Sequence, residues 1–311
     1  MATREAALGP RPEIRLRAES RRWSEDVVKG VLALCALVSV ATTLGIVIAL
    51  LEPSIEFFSE ISAVDFFSGT TWAPLFVPSS FGVLPLLAGT LNVTAVACLV
   101  AMPLGLAAAI FLSEYAKPRV RQVLKPSLEV LAGIPTVVFG FFALTFFTPL
   151  LQDIGIDVNV FNALSAGIVM GVMLIPTVAS ISEDAMASVP RELRDGAYAL
   201  GGSRLQVSTR IVVPAAISGI VASFVLAISR AIGETMIVLI AAGGIAQLTA
   251  DSREPMQTMT AFIAATGIGD VPTGSIEYKT IFAVGLTLFV ITLVMNVFAI
   301  RLVRKYREIY E

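Results

Sequence analysis

Length, composition and charge identify this chain as a membrane protein. It has 311 residues, of which 56% are hydrophobic and only 15% are charged. A water-soluble domain of this length needs far more polar surface, so that class of protein is excluded. The chain contains no histidine, which excludes histidine-based catalysis and histidine metal sites, and its net charge of −2 is less informative than the distribution of the charges.

The N-terminal tail is rich in arginine and glutamate. We interpret residues 1–26 as a cytoplasmic tail that sets the membrane topology. Residues 27–83 are expected to hold the first transmembrane helix and an external segment, with an interfacial helix at 53–61. Residues 84–311 then form the core of the protein, and this core includes a polar cytoplasmic loop at 182–210.

Six hydrophobic runs are long enough to cross a bilayer, whose apolar core of about 30 Å needs roughly 20 mostly apolar residues. They lie near residues 27–51, 84–112, 127–151, 163–181, 211–242 and 281–303. The first run is longer than the roughly 7–15-residue apolar core of a signal peptide, so it is predicted to be an anchor. The pattern predicts an all-α polytopic protein with six transmembrane helices.

The basic residues near the ends of these runs predict the orientation. Lysine and arginine cluster in the N-terminal tail, in 117–125, in 191–210 and after residue 300, whereas 52–83 and 152–162 contain neither. Because such clusters stay on the cytoplasmic side, both termini are predicted to be cytoplasmic. The expected location is the bacterial inner membrane, crossed several times.

Two polar side chains in the second and third runs are candidates for a transport pathway. Asn92 and Thr136 are expected to donate hydrogen bonds inside it, with simple packing as the alternative for each taken singly. Cys35 and Cys98 both fall within predicted spans, and neither has the pattern of a metal ligand or of a structural disulfide.

The loop at 182–210 is predicted to contain two short helices, at 183–186 and at 190–200, followed by a sharp turn at Gly201. The small residues Gly196 and Ala197 would let another surface approach closely. Arg194 or Asp195 would pair with charges on that surface. The alternative is an ordinary solvated loop.

Arg230 and Glu234 are two charges deep inside the fifth hydrophobic run. A charge at the centre of a membrane helix costs about 2.5–3.5 kcal/mol, so such residues are functional candidates. Their i, i+4 spacing predicts that both lie on one helix face. We expect Arg230 to supply positive charge to an anion pathway and Glu234 to orient it. The alternative is a neutralising ion pair that only allows the helix to insert.

The spacing of residues 195–214 resembles the coupling loop of ATP-binding-cassette (ABC) importer permeases. That signature reads Glu-Ala-Ala, three residues, Gly, nine residues and Ile-x-Leu-Pro; here it begins at Asp195, places Gly201 at the glycine and ends at Pro214. Asp195, Gly196 and Val213 depart from it. Segments 131–140, 230–236, 256–260 and 277–283 further resemble the PstC family of phosphate-importer permeases, over most of residues 80–311.

This resemblance implies a type I importer (MetI-like) permease fold and transport of inorganic phosphate, with no enzymatic activity in this chain. It implies a PstA-like sister permease, a PstB-like ATPase dimer and an external PstS-like phosphate-binding protein. The ATPase contacts are assigned to Arg194, Asp195, Gly196, Ala197, Gly201 and Pro214. The chain has no phosphate-binding Gly-x4-Gly-Lys-Ser/Thr motif, so ATP and Mg²⁺ are expected on the ATPase and no cofactor in this chain.

Three alternatives to a phosphate importer remain open from the residues themselves. One is a permease for another oxyanion, such as sulfate or molybdate. The second is a secondary anion transporter or channel that works alone. The third is a membrane sensor or scaffold that transports nothing, for which a large soluble domain would be expected. No nucleic-acid partner is expected.

Overall fold

Residues 23–305 are described by a computed structural model, and they are mostly helical. The helices are α1 (Trp23–Glu60), α2 (Ala63–Ser68), α3 (Leu84–Ile110), α4 (Pro118–Ala132), α5 (Thr136–Phe142), α6 (Thr148–Asp153), α7 (Ala163–Ala187), α8 (Arg191–Ala199), α9 (Arg204–Val207), α10 (Val213–Ala215), α11 (Ile217–Ile232), α12 (Met259–Ile268) and α13 (Ile276–Lys305). Four π-helical turns are Phe111–Tyr115, Ala143–Phe147, Ser208–Val212 and Val238–Ala242. Strands β1 (Trp72–Ala73) and β2 (Ser80–Phe81) pair antiparallel, with Trp72 opposite Phe81. The predicted tail lies almost wholly outside the described residues.

The predicted all-α fold with up to six spans is confirmed. Within residues 23–305, five stretches are long and apolar enough to cross a membrane: Glu25–Glu60, Leu84–Tyr115, Thr136–Asp153, Ala163–Ala187 and Ile276–Arg301. The pair Arg204–Ala215 and Ile217–Ile232, which is bent by 72°, brings the number to six if it counts as one broken span. The chain divides into two units, residues 1–49 and 50–311. The described part of the first unit is the N-terminal part of α1.

The predicted third span begins too early. Residues 127–132 belong to α4, whose C-terminus is capped by Gly133, and Pro135 has extended backbone angles of −58° and 136°. Proline cannot donate the hydrogen bond that would continue a helix, so a new helix starts at Thr136. The apolar composition continues across this break although the helix does not.

The predicted fifth span, 211–242, is not one continuous helix. It bends between α10 and α11 and breaks again at Gly233, which caps the C-terminus of α11 with φ −87° and ψ 0°. A π-helical turn then ends at Gly243, which has a φ of +98°. The break separates Arg230 from Glu234, with consequences for the site.

The expected interfacial helix at 53–61 is also wrong as a separate element. Helix α1 continues through Pro53 to Glu60. Phe57 is fully buried and meets Phe66 edge to face with ring centroids 5.6 Å apart. These aromatic rings therefore pack inside the protein, together with Trp72.

Helices α3 and α7 form the centre of the core, and glycines set how closely they approach. A Cβ atom added at Gly171 would lie 2.7 Å from Cβ of Val100, and one added at Gly167 would lie 2.7 Å from Cβ of Val96. Small residues allow such close helix contact in membranes. Met170, Met173 and Leu174 on α7 are fully buried beside this contact.

The polar loop contains one helix of the predicted two. Residues 183–186 are the last turns of α7, so the predicted helix there is wrong as a separate element. The helix predicted at 190–200 is confirmed as α8. Since α7 extends to Ala187, α8 follows directly from the end of a core helix.

Candidate functional site

Arg230 lies in the last turn of α11 with an exposed guanidinium group. Its Nη1 donates a hydrogen bond to Oγ1 of Thr177 on α7 at 3.2 Å. A cation is favourable at the C-terminal end of a helix dipole. Thr177 was missed in the sequence, where the available signal was a hydroxyl next to Pro176 inside an apolar span.

Arg230 and Glu234 do not form the predicted pair on one helix face. Helix α11 ends at Ile232 and the chain turns at Gly233, so the i, i+4 geometry is lost. No ion pair joins the two side chains, both of which belong to the described residues. The guanidinium group therefore has no carboxylate partner within the described part of the chain.

Glu234 instead caps the segment that follows the break. Its Oε1 accepts hydrogen bonds from the backbone N–H groups of Met236 at 3.0 Å and Ile237 at 3.3 Å. The hydroxyl group of Thr260 donates to the Glu234 carbonyl oxygen at 2.6 Å. The side chain is nearly buried. Helix starts leave N–H groups without partners, and this carboxylate satisfies two of them.

The other two predicted pathway residues lie in different surroundings. Asn92 donates to the Ala250 carbonyl oxygen at 3.0 Å and accepts from the Ser252 hydroxyl group at 2.7 Å. Both ends of its amide therefore hold the loop after Gly243. Thr136 is the half-buried first residue of α5. None of the described hydrogen bonds links either residue to Arg230.

The predicted coupling residues on α8 differ in how far they are exposed. Asp195 and Gly196 are exposed, and no atom lies within 4 Å of a Cβ atom added at Gly196. Ala197 is half-buried against a cluster of apolar side chains that includes Val207 and Val212. One face of α8 is thus open to a second surface while the other packs on the protein.

Gly201 ends α8 in a left-handed conformation with a φ of +84°. Its N–H donates to the Tyr198 carbonyl oxygen at 2.9 Å, and the N–H of Gly202 donates to that of Ala197 at 3.1 Å. This pair of bonds is a Schellman motif. The sharp turn predicted at Gly201 is confirmed.

Pro214 lies in α10, beside the 72° bend that precedes α11. It is exposed. Proline is compatible with the first turn of a helix because the N–H it lacks would have no partner there. The last residue of the coupling signature thus marks the point where the chain turns into the fifth span.

Arg194 points into the protein, contrary to the expectation that it would pair with charges on another surface. Its guanidinium group donates to the carbonyl oxygens of Val189 at 2.5 Å and Met186 at 2.7 Å. It also donates to Oε1 of Glu114 at 3.1 Å. Asp195 is left as the exposed charge of the pair.

A second group of charges surrounds the last turns of α7. Glu183 is fully buried and contacts Arg121 and Lys125 of α4, the latter at 2.7 Å. Lys125 also lies 2.7 Å from Asp184. The hydrogen bonds that Lys125 donates to Asp184 and Glu183 raise its pKa above the usual value of 10.5. The end of α7 is therefore tied to α4 on one side and to Arg194 on another.

Comparison with known proteins gives the class of this fold and site. Residues 101–308 match the family described as binding-protein-dependent transport system inner membrane components. The chain is similar to the "Probable ABC transporter permease protein YqgH" of Bacillus subtilis, with 36% identity over 89% of this chain and 91% of the relative. It is also similar to the phosphate transport system permease protein PstC of Mesorhizobium japonicum, with 32% identity over 80% of each chain.

A solved structure supports the same fold. A chain of a bacterial alginate ABC transporter, in complex with an alginate pentasaccharide-bound periplasmic protein, aligns with a TM-score of 0.63 at 18% identity, over 92% of this chain and 98% of that one.

The protein belongs to the family of binding-protein-dependent transport system inner membrane components and is a type I ABC importer permease. It is a multi-pass protein of the inner membrane. The predicted resemblance to PstC-type permeases is confirmed, since several PstC proteins align with most of the chain.

Proposed function

We propose that this chain is the permease subunit through which an ATP-driven importer moves inorganic phosphate into the cytoplasm. Both termini and α8 face the cytoplasm in this proposal. The partners are a PstA-like sister permease, a PstB-like ATPase dimer that binds ATP and Mg²⁺, and an external PstS-like phosphate-binding protein. The PstC names of several relatives support this assignment.

The observation that carries the proposal is the guanidinium group of Arg230. It ends an apolar helix, makes one hydrogen bond to Thr177 and has no carboxylate partner within the described residues. Arginine has five N–H donors in a planar fork that suits phosphate oxygens. Most of these donors are free to bind an anion that passes between this chain and the sister permease.

Glu234 gives the site a preference for phosphate over sulfate. Its Oε1 accepts the two backbone hydrogen bonds, and Oε2 makes no hydrogen bond to a described residue. Phosphate keeps at least one P–OH proton near neutral pH, whereas sulfate has none. For this selectivity, a phosphate bound to Arg230 has to bring its P–OH group to Oε2 of Glu234 across the break at Gly233.

The open face of α8 is the docking site for the ATPase. Leu193 and Tyr198 on α8 are exposed, and Leu200, directly after the helix, is 91% exposed. Large apolar side chains exposed together indicate an interaction surface. Because the ATPase binds two conformations of the permease differently, its cycle of ATP binding and hydrolysis shifts the permease between them.

The substrate is tested with the complete complex in liposomes that carry the ATPase inside and the binding protein outside. We expect labelled phosphate to enter only with ATP, and excess unlabelled phosphate to compete while sulfate and molybdate do not. Competition by sulfate or molybdate would indicate a permease for another oxyanion. Uptake without the ATPase would indicate a secondary transporter. Either result contradicts the proposal.

A further inference from the structure

Arg194 joins three elements at the end of α7. It projects from α8, and its guanidinium group binds the carbonyl oxygen of Met186 in the last turn of α7 and that of Val189 just after the helix. The same group binds Glu114, which follows α3. The last carbonyl groups of a helix have no partner within the helix, so a fork of N–H donors is well suited to hold them.

The carboxylate in this contact belongs to Glu114. Glu114 lies in the π-helical turn Phe111–Tyr115, which extends α3. Its side chain is 6% exposed, that of Arg194 is 16% exposed, and Oε1 of Glu114 also accepts a hydrogen bond from Ser113 at 2.8 Å. π-helical turns inside helices are often found at functional sites. The pair is therefore largely shielded from water and fixed at both ends.

The end of α7 is also connected to α4. Glu183 and Asp184 in its last turns contact Arg121 and Lys125. Helix α4 leads through the break at Pro135 into the span Thr136–Asp153. A displacement of α8 thus acts on α3 and α7 through Arg194, and on α4 through the charges on α7.

We propose that Arg194 and Glu114 form a clamp that transmits the movement of the ATPase from α8 to the membrane helices. This inference rests on the proposed function, because it takes α8 as the ATPase docking helix. Both are positioning residues and touch neither substrate nor nucleotide. A clamp of this kind predicts that its loss uncouples ATP hydrolysis from transport without preventing either the binding of the ATPase or the hydrolysis itself.

The test measures ATP hydrolysis and phosphate uptake on the same liposomes, with the complete complex and its binding protein. We expect Arg194→Gln and Glu114→Gln each to lower phosphate transported per ATP roughly tenfold, the size of a typical coupling between two sites. ATP hydrolysis and co-purification of the ATPase are expected to persist. The double variant should be no worse than Arg194→Gln alone, since both changes break one contact.

Arg119→Gln is the matched control, because Arg119 is an exposed arginine on α4, outside the proposed docking helix. Its ratio of transport to hydrolysis should equal that of the wild type. If Arg194→Gln does not assemble, Glu114→Gln, which removes only a charge, carries the test with the same readouts.

A proportional loss of uptake and hydrolysis, or additive effects of the two substitutions, would overturn the clamp. Absence of phosphate uptake in the wild type, with hydrolysis still stimulated by the binding protein, would instead contradict the proposed substrate. The clamp is then tested by whether Glu114→Gln abolishes that stimulation while unstimulated hydrolysis persists; stimulation that survives the substitution overturns it.

Discussion

Arg230 and Glu234 show what the sequence can reveal about single residues and what it cannot. Charges in an apolar run are conspicuous in any sequence, so both residues could be found. Their pairing could not be predicted, because it depends on whether the helix continues past Gly233. The same holds for Arg194, whose inward direction depends on Glu114, 80 residues earlier in the chain.

Replacement of Glu234 by glutamine tests its role in selectivity. Glutamine still offers an oxygen to the N–H groups of Met236 and Ile237, so the cap is expected to survive. It cannot accept a P–OH proton through Oε2 if the amide nitrogen lies there. We expect sulfate to compete with phosphate uptake more strongly in Glu234→Gln than in the wild type, measured by competition in liposomes. Unchanged selectivity would rule out this role.

Gly196 inside α8 and Gly201 just after its end allow a matched pair of substitutions. Gly201→Ala places a side chain at a φ of +84° and is expected to destabilise the chain by about 1–2 kcal/mol. Gly196→Ala lies inside α8 and meets no atom within 4 Å, so it is expected to raise the stability by about 0.5–1 kcal/mol, while its methyl group weakens ATPase binding. Denaturant unfolding in detergent micelles and co-purification of the ATPase measure the two effects. Equal destabilisation by both substitutions would contradict this account.

The lengths of the apolar runs predicted which segments form membrane spans better than they predicted where the helices begin and end. The second span matches α3 closely because its apolar residues end with the helix, and the fourth span begins where α7 begins. The third and fifth spans do not match single helices, because Pro135 and Gly233 break the backbone inside apolar sequence. The extension of α7 through Glu183 could not be predicted either, since that buried carboxylate is stabilised by Arg121 and Lys125 from another helix.

The contact between α3 and α7 is sensitive to the size of Gly171. Gly171→Ala would place its Cβ atom 2.7 Å from Cβ of Val100 and 2.8 Å from the Ala97 carbonyl oxygen. Such overpacking costs about 1–3 kcal/mol. The free energy of unfolding in detergent micelles should fall by this amount, whereas Gly267→Ala on α12, with nothing within 4 Å, should not lower it. A neutral result for Gly171→Ala would show that the two helices are not in contact as described.

The contact between α4 and α7 should not change near neutral pH. The pKa of Lys125 is raised above 10.5 in the folded protein, so its contribution to stability is complete below 10.5 and is lost as the pH rises through the higher folded value. The difference in melting temperature between wild type and Lys125→Met should therefore be constant from about pH 6 to 9. A difference that disappears within this window would show that Lys125 titrates there.

For the whole molecule, the sequence predicted the class of protein correctly. The coupling signature ends at a real bend, and its glycine ends a real helix, because these features depend on local backbone chemistry at Gly201 and Pro214. The path from α8 to the core helices could not be predicted, since it runs through side chains distant in sequence. The proposed mechanism therefore combines a locally encoded docking helix with a contact network that only the fold reveals.

The central claim is that Arg230 binds phosphate on its way through the membrane. Labelled phosphate uptake and ATP hydrolysis by the reconstituted complex should be compared for wild type, Arg230→Gln and Arg230→Lys. We predict that Arg230→Gln assembles and hydrolyses ATP but loses uptake, and that Arg230→Lys, which keeps the charge but not the planar fork, retains part of it. Normal uptake by Arg230→Gln would contradict the claim and make Arg230 a packing residue that holds α11 to Thr177.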